Sequence, residues 1–336
     1  MNNSSLPTNE AQTTASPDVN TSKIKTRDRT TADRLLLICF ALAVISLVAV
    51  RFMSDKLGGH LGIAIIQIII FLIPSYFYVK MTGKRSSPRQ LRERLSLRGI
   101  SPRYIFLIIS AALLCICLSL VFDMLFGGIK DTAEGFSLYG IFSAAADGAK
   151  MAPLYLTVVY AILPALCEEL LFRGVIFSEY KKHGLLSASL ISAIFFALIS
   201  FKFSLFPSAF LIGIIMACLL FITESVFVCA TVHMLYNLFG IFMRTNISNY
   251  YLYSNNNTLL VLGIIFLILF SAAIFCFESA RCLKDFAKKG KEPHHLLCGG
   301  LKQTLLRTAK NLISPCSLVC IAIYATLCIL GLIGMR

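Results

Sequence analysis

Two adjacent glutamates and an arginine lie inside an otherwise apolar stretch of this chain: Glu168, Glu169 and Arg173. Residues 151–166, which precede them, carry no charged side chain. A charged side chain at the centre of a membrane helix costs about 2.5–3.5 kcal/mol on insertion scales. Three such charges are retained where they face a protein interior or a wet cavity, and ionisable groups in such a place indicate a functional site.

The spacing of these three residues separates their roles. Glu169 and Arg173 are four residues apart, so they share one face of a helix and can form an ion pair. Glu168 is turned about 100° away from Glu169. We expect Arg173 to neutralise Glu169 and to leave Glu168 as the carboxylate available for chemistry. The alternative is a structural ion pair with a second acid beside it.

A second pair of polar residues lies further along the chain. His233 and Asn237 are also four residues apart in an apolar run, so their side chains point the same way. A lone histidine in such a helix is more often structural, but here an amide accompanies it and the chain already carries two intramembrane glutamates.

These residue types suit hydrolysis. A carboxylate in an apolar setting can take a proton from water, and a histidine with an amide can donate hydrogen bonds to the oxyanion that forms on an attacked peptide carbonyl. The sequence contains no Gly-x-Ser-x-Gly or His-Glu-x-x-His motif. Serine-hydrolase and ordinary zincin mechanisms therefore lack support.

The composition of the chain is that of a membrane protein. Of its 336 residues, 57% are hydrophobic and 14% are charged, and the mean hydropathy is +0.79. Such values belong to polytopic membrane proteins. The formal net charge is +14, but the basic residues lie in loops between apolar runs. Cytoplasmic loops and the anionic head groups of the lipid bilayer explain this charge better than a nucleic-acid partner does.

Nine apolar runs are long enough, or nearly long enough, to cross a membrane. They cover residues 35–53, 61–80, 103–125, 152–178, 185–203, 207–222, 226–245, 258–280 and 316–335. We predict three regions: a disordered polar cytoplasmic tail at 1–34, a transmembrane core at 35–283, and a basic cytoplasmic segment with an extra transmembrane helix at 284–336. The predicted fold class is all-α, a polytopic transmembrane helical bundle.

The distribution of charge predicts the orientation of a multi-pass integral membrane protein. Lysines and arginines concentrate after the second, fourth and eighth runs, at 80–103, 181–182 and 281–312. With nine spans these three segments fall on one side, which the positive-inside rule makes cytoplasmic. The amino terminus is then cytoplasmic as well, and the loop at 246–257 lies outside.

The two polar motifs together resemble the CPBP family, also called ABI, which contains the type II CAAX prenyl endopeptidases and bacteriocin-processing enzymes. The motifs read Glu168-Glu169-x-x-x-Arg173 and His233-x-x-x-Asn237. The resemblance spans roughly residues 150–245. It implies an eight-helix intramembrane bundle, here with a ninth helix at the carboxyl end, and an endopeptidase whose substrate is a membrane-embedded or lipidated peptide.

The resemblance also implies a role for each motif residue. Glu168 would activate water, and Glu169 with Arg173 would support it. His233 and Asn237 would lie at the oxyanion. The family further implies zinc as a candidate cofactor.

One position departs from the family pattern. The family carries Phe-x-x-x-His on the helix between the two motifs, and this chain has Phe196 followed by Ser200. A serine hydroxyl does not hold a proton near neutral pH and binds zinc poorly, so Ser200 would contribute less than a histidine. Two further functions therefore stay open. One is a catalytically silent relative that binds a membrane peptide or bacteriocin-like partner, in an immunity or scaffold role. The other is a transporter with an intramembrane carboxylate relay, although paired broken helices are not evident in the sequence.

Overall fold

A computed structural model describes residues 32–47, 59–83, 86–126, 153–254, 257–288 and 300–334. Every regular element in these residues is a helix, so the predicted all-α fold class is confirmed. The helices of the described residues are α1 (32–47), α2 (Gly59–Gln67, continued by Ile68–Leu72 and Ile73–Thr82), α3 (Pro88–Arg94), α4 (Ile105–Phe126), α5 (Pro153–His183), α6 (Leu185–Leu198), α7 (Phe206–Thr223), α8 (Val226–Phe242), α9 (Arg244–Tyr253), α10 (Thr258–Lys288), α11 (Leu301–Leu312) and α12 (Pro315–Gly334).

Several of these helices are long and apolar enough to cross a membrane. Within the described residues five qualify, in α2, α4, α5, α7 and α10. The number rises to seven if the bent pairs α8–α9 and α11–α12 each form one span; these pairs bend by 50° and 73°. The chain is therefore a multi-pass membrane protein. One of the nine predicted runs forms a shorter helix, since α6 covers Leu185–Leu198 rather than 185–203. Residues 48–53 of the first predicted run lie outside the described part.

The predicted polar tail at 1–34 mostly lies outside the described residues. Its last three residues differ from the prediction, because helix α1 already includes residues 32–34. Asp33 is buried there, and its carboxylate accepts a hydrogen bond from the hydroxyl of Tyr180 in α5. This contact explains why the polar residues at the end of the tail join the bundle. Residues 289–299 of the predicted basic segment also lie outside the described part.

Helix α5 occupies the centre of the bundle and packs against α2, α6, α7 and α8. Aromatic side chains connect these helices: Phe172 of α5 lies 6.3 Å from Phe71 of α2 and 5.5 Å from Phe196 of α6, measured between ring centroids. Helix α10 packs on α4 at the periphery, and only 11% of its most apolar 18-residue stretch is buried. An apolar helix exposed in this way faces lipid.

The three basic segments meet at one end of the bundle, as the distribution of charge predicts. Arg94 at the end of α3 and Lys182 in the last turn of α5 both pair with Glu179. Arg281 near the end of α10 donates a 3.0 Å hydrogen bond to the carbonyl oxygen of Arg103. These contacts place the second, fourth and eighth loops of the sequence prediction together.

Short π-helical segments interrupt α2 and α5. They cover Ile68–Leu72 in α2, and Thr157–Ile162 and Leu170–Ile176 in α5. A proline follows the first two closely, at Pro74 and Pro164. Because proline lacks an N–H donor and its ring crowds the preceding turn, the hydrogen-bond ladder is displaced before it. Glu168 and Glu169 lie in the short α-helical stretch between the two π segments of α5.

Candidate active site

Arg173 and Glu169 form a fully buried ion pair on α5. The Arg173 Nη1 atom lies 3.0 Å from the Glu169 Oε1 atom, and both side chains are 0% exposed. The spacing prediction for this pair is therefore confirmed. A buried guanidinium needs further partners, because its desolvation is costly. Its Nη2 atom donates a 3.4 Å hydrogen bond to the carbonyl oxygen of Gly213, and its carbon lies 4.4 Å from the centroid of the Phe196 ring.

His233 contacts both glutamates from α8. Its Nδ1 atom lies 2.9 Å from Glu169 Oε1, and its Nε2 atom lies 3.9 Å from Glu168 Oε2. An ionised carboxylate only accepts hydrogen bonds, so the imidazole donates from Nδ1 to Glu169. With Nδ1 held by Glu169, the ring geometry directs Nε2 towards Glu168. The close contact of His233 with Glu169, rather than with Glu168, was not part of the sequence prediction.

The two adjacent glutamates have different surroundings. The Glu169 side chain is 0% exposed and is held by two cationic or donor groups, whereas the Glu168 side chain is 18% exposed. Glu168 is thus the carboxylate of the pair that a ligand or water can reach. The 3.9 Å between Glu168 Oε2 and His233 Nε2 is short enough for one water molecule at about 2.8 Å to hydrogen-bond to both atoms.

Hydrogen bonds to the neighbouring segments hold α8 in place. Ser225 is its N-cap: the Ser225 hydroxyl accepts from the backbone N–H of Val228 and donates a 2.6 Å hydrogen bond to the carbonyl oxygen of Arg98. The backbone N–H of Val226 donates to the carbonyl oxygen of Ser96. These bonds anchor the first turn of α8 to the basic segment and fix the position of His233 two turns later.

Asn237 and Ser200 are not hydrogen-bonded to the glutamates in the described residues. Asn237 is buried on the His233 face of α8, but no hydrogen bond joins it to Glu168 or Glu169 in the part of the chain described. The Ser200 hydroxyl follows the end of α6 and donates a 2.7 Å hydrogen bond to the carbonyl oxygen of Ala197. Among the described residues Ser200 makes no hydrogen bond to His233 or to either glutamate.

The sequence prediction omitted one polar residue of this region, Gln67 of α2. Its side chain is 1% exposed and approaches the Glu168 carboxylate. The available signal was a single amide within the apolar run at 61–80. A lone glutamine has no partner at helical spacing there, so the sequence did not connect it with α5.

The donor atoms do not form a three-ligand zinc site. Within the described residues no group of three or more His, Cys, Asp and Glu side chains is arranged to hold a metal ion. The Ser200 hydroxyl is bonded to its own helix, and His233 Nδ1 is bonded to Glu169. A catalytic zinc takes three protein ligands, whereas Glu168 and His233 Nε2 supply two.

Comparison with known proteins gives one match. Residues 150–239 match the family model described as Type II CAAX prenyl endopeptidase Rce1-like, and no curated protein and no solved structure matches the chain. The matched segment runs from α5 into α8 and contains both the glutamate pair and His233. Residues 150–239 are therefore similar to the family of type II CAAX prenyl endopeptidases.

Proposed function

We propose that this protein is an intramembrane endopeptidase in which Glu168 activates a water molecule for attack on a peptide bond. The observation that carries the proposal is the pairing of Glu168 with His233 at 3.9 Å, inside the bundle and beside the buried Glu169–Arg173 pair. The match to a family of prenyl endopeptidases supports the same reaction. The substrate is a membrane-associated or prenylated peptide.

The catalytic steps use three side chains. Glu168 accepts a proton from the bound water as the water oxygen attacks the peptide carbonyl carbon. The protonated imidazole of His233, held at Nδ1 by Glu169, donates from Nε2 to the oxyanion, and Asn237 donates to the same oxygen when the substrate is bound. The tetrahedral intermediate then collapses: the C–N bond breaks, and the proton on Glu168 passes to the leaving amine.

Arg173 and Glu169 support these steps without contacting the substrate. Glu169 holds the His233 ring in one orientation, and Arg173 balances the charge of Glu169 in an apolar setting. Arg173 is itself fixed by Gly213 and Phe196. The imidazole therefore keeps its Nε2 atom directed at the water and the carbonyl group while the substrate binds.

Cleavage of a farnesylated peptide ending in Cys-a-a-X tests the proposal. We expect the purified protein in lipid nanodiscs to cleave this peptide, and Glu168→Gln to lower kcat by about 10²–10⁴-fold, because one positioned general base contributes that much. Glu93→Gln is the matched control: Glu93 pairs with Arg89 on the exposed helix α3, and its substitution should leave kcat unchanged. Equal rates for wild type and Glu168→Gln would contradict the proposal.

A catalytically silent relative that binds a membrane peptide is the second candidate. The observation that favours it is the Ser200 hydroxyl, which bonds to Ala197 at the position where the family has a histidine. This candidate predicts that wild type and Glu168→Gln bind the farnesylated peptide equally and that neither cleaves it. Peptide binding measured beside cleavage separates the two functions.

A further inference from the structure

Gln67 lies on the face of α2 that packs against α5. Ala64, Gln67 and Phe71 are spaced three and four residues apart, so they share this face. Ala64 packs in one apolar cluster with three α5 residues, Leu156, Val159 and Tyr160. Phe71 lies 6.3 Å from Phe172, further along α5. Gln67 is between these two contacts and approaches the Glu168 carboxylate.

The Gln67 carboxamide is a buried polar group with unused hydrogen-bonding capacity. The residue is 1% exposed, and neither its amide nitrogen nor its oxygen closes a hydrogen bond with another residue that the structure describes. A buried amide without a partner destabilises a fold, whereas an apolar residue of similar size would not. Packing alone therefore does not account for a glutamine at this place.

The groups around Glu168 show what a neutral amide can add. The charged or titratable side chains that act on Glu168 are Glu169, Arg173 and His233, which belong to α5 and α8. Helix α2 contributes no charge there. An amide N–H can donate a hydrogen bond to a carboxylate without changing the net charge of the site. The π-helical segment that begins at Ile68, directly after Gln67, is of a kind found often at functional sites.

We infer that Gln67 is a positioning residue for the catalytic base: its amide N–H donates to the Glu168 carboxylate and holds it towards the water beside His233. This inference rests on the proposed function of Glu168. It concerns a helix outside the segment that matches the family model, since that segment covers residues 150–239. Helix α2 thereby becomes part of the active site.

Kinetics of Gln67→Leu test the positioning role. We expect kcat for the farnesylated peptide to fall about tenfold or more while KM stays within about threefold, because a misplaced base slows the chemical step more than binding. Losing a hydrogen bond to the ionised carboxylate should also move the acid limb of the pH–rate profile to higher pH. Ser75→Ala is the matched control: Ser75 is another buried α2 residue without a hydrogen-bond partner among the described residues, two turns further on.

Wild-type kcat and an unshifted profile in Gln67→Leu would overturn the inference and leave the endopeptidase proposal intact. So would an equal fall in kcat for Ser75→Ala, because the effect would then belong to α2 as a whole. Both comparisons require folded variants, and the melting temperatures of Gln67→Leu and Ser75→Ala show whether each is folded.

A stability measurement tests the contact independently of activity. The four proteins are wild type, Gln67→Leu, Glu168→Leu and the double variant. If Gln67 donates to Glu168, the two changes in Tm are not additive, and Gln67→Leu is more favourable by about 2 °C or more in the Glu168→Leu background. Additive changes in Tm would refute the inference. This measurement does not require cleavage, so it decides the Gln67–Glu168 contact even if the wild type cleaves no peptide and the proposed function is wrong.

Discussion

Two chemically identical side chains one residue apart have different surroundings in this protein because their partners differ. Glu169 is enclosed by Arg173 and His233, whereas Glu168 retains access to a ligand. A rotation of about 100° along the helix is thus enough to separate an enclosed carboxylate from an accessible one. The ion pair allows a charged carboxylate to lie in an apolar interior, because Arg173 of the same helix balances the charge of Glu169.

Loss of Arg173 tests this dependence at the level of one residue. We expect Arg173→Ala to lower the free energy of unfolding by about 3–5 kcal/mol, because it leaves Glu169 as an unpaired buried charge. The exposed i, i+4 pair of Arg89 and Glu93 provides the control, and Arg89→Ala should cost less than about 1 kcal/mol. Denaturant unfolding in mild detergent measures both. A similar small cost for the two variants would show that the buried pair is not structural.

Replacement of Ser200 tests the departure from the family pattern. We expect Ser200→His to raise the rate of peptide cleavage, because imidazole supplies a titratable donor one turn after Phe196, whose ring lies 5.7 Å from that of His233. A positioned acid or base group contributes about 10²–10⁴-fold. Ser200→Ala serves as the control and should change the rate little. If Ser200→His is slower than wild type, the serine is an adapted part of the site.

Residue spacing along one helix could be interpreted from the sequence, and contacts between helices could not. The Glu169–Arg173 pair follows from four-residue spacing, and the shared face of His233 and Asn237 does too. The contact between His233 and Glu169 depends on how α8 packs on α5, which no local spacing determines. Gln67 was missed for the same reason, because its only polar neighbour lies on another helix.

At the scale of helices, the approach of α7 to α6 shapes the site. A side chain at Gly213 would place its Cβ 2.8 Å from both Cα and Cβ of Ala193, so the two helices meet at this glycine. The carbonyl oxygen of Gly213 accepts a hydrogen bond from Arg173. A single small residue therefore sets the helix separation and also supplies a partner for the buried guanidinium.

Substitution of Gly213 should change both the separation of α6 and α7 and the position of the carbonyl oxygen that accepts from Arg173. We expect Gly213→Ala to destabilise the protein by about 1–3 kcal/mol through overpacking, and to weaken cleavage by moving the acceptor of Arg173. Gly263→Ala in α10 is the matched control, because no atom outside its own helix turn lies within 4 Å of the added Cβ. Thermal unfolding of the two variants decides the point: comparable Tm values would mean that α6 and α7 can separate without cost.

At the scale of the whole molecule, the basic segments of the described residues lie together at one end of the bundle. A separate ion pair involves a buried acidic residue. Asp123 near the end of α4 pairs with Arg244 at the start of α9, 2.7 Å apart. Hydropathy and charge predicted the helical class and this grouping, since both depend on composition over many residues. The length of α6 was predicted less well, because apolar composition continues past the last hydrogen-bonded turn of this helix.

Cysteine labelling tests the predicted orientation. The test uses two variants, Gln90→Cys and Tyr253→Cys, each made in a protein whose native cysteines have been replaced. Both positions are exposed in the structure. A membrane-impermeant maleimide applied to intact cells should label position 253 and not position 90, because the positive-inside rule places the basic segment in the cytoplasm. Labelling of position 90 and not of position 253 would indicate the opposite orientation in the membrane.

The π-helical turn after the glutamates affects which deletions this gene can tolerate during evolution. A π turn holds about one residue more than an α turn, so removal of one residue from 170–176 can restore regular helix without unpaired backbone groups. Because the turn itself absorbs the loss, the glutamates keep nearly the same orientation relative to the end of α5 that contacts Arg94 through Glu179. Removal of one residue from a regular α-helix would instead rotate its two parts by about 100°. We therefore expect folding and membrane insertion to survive a single-codon deletion at Val175 better than one in the middle of α4, which the yields of folded protein would measure.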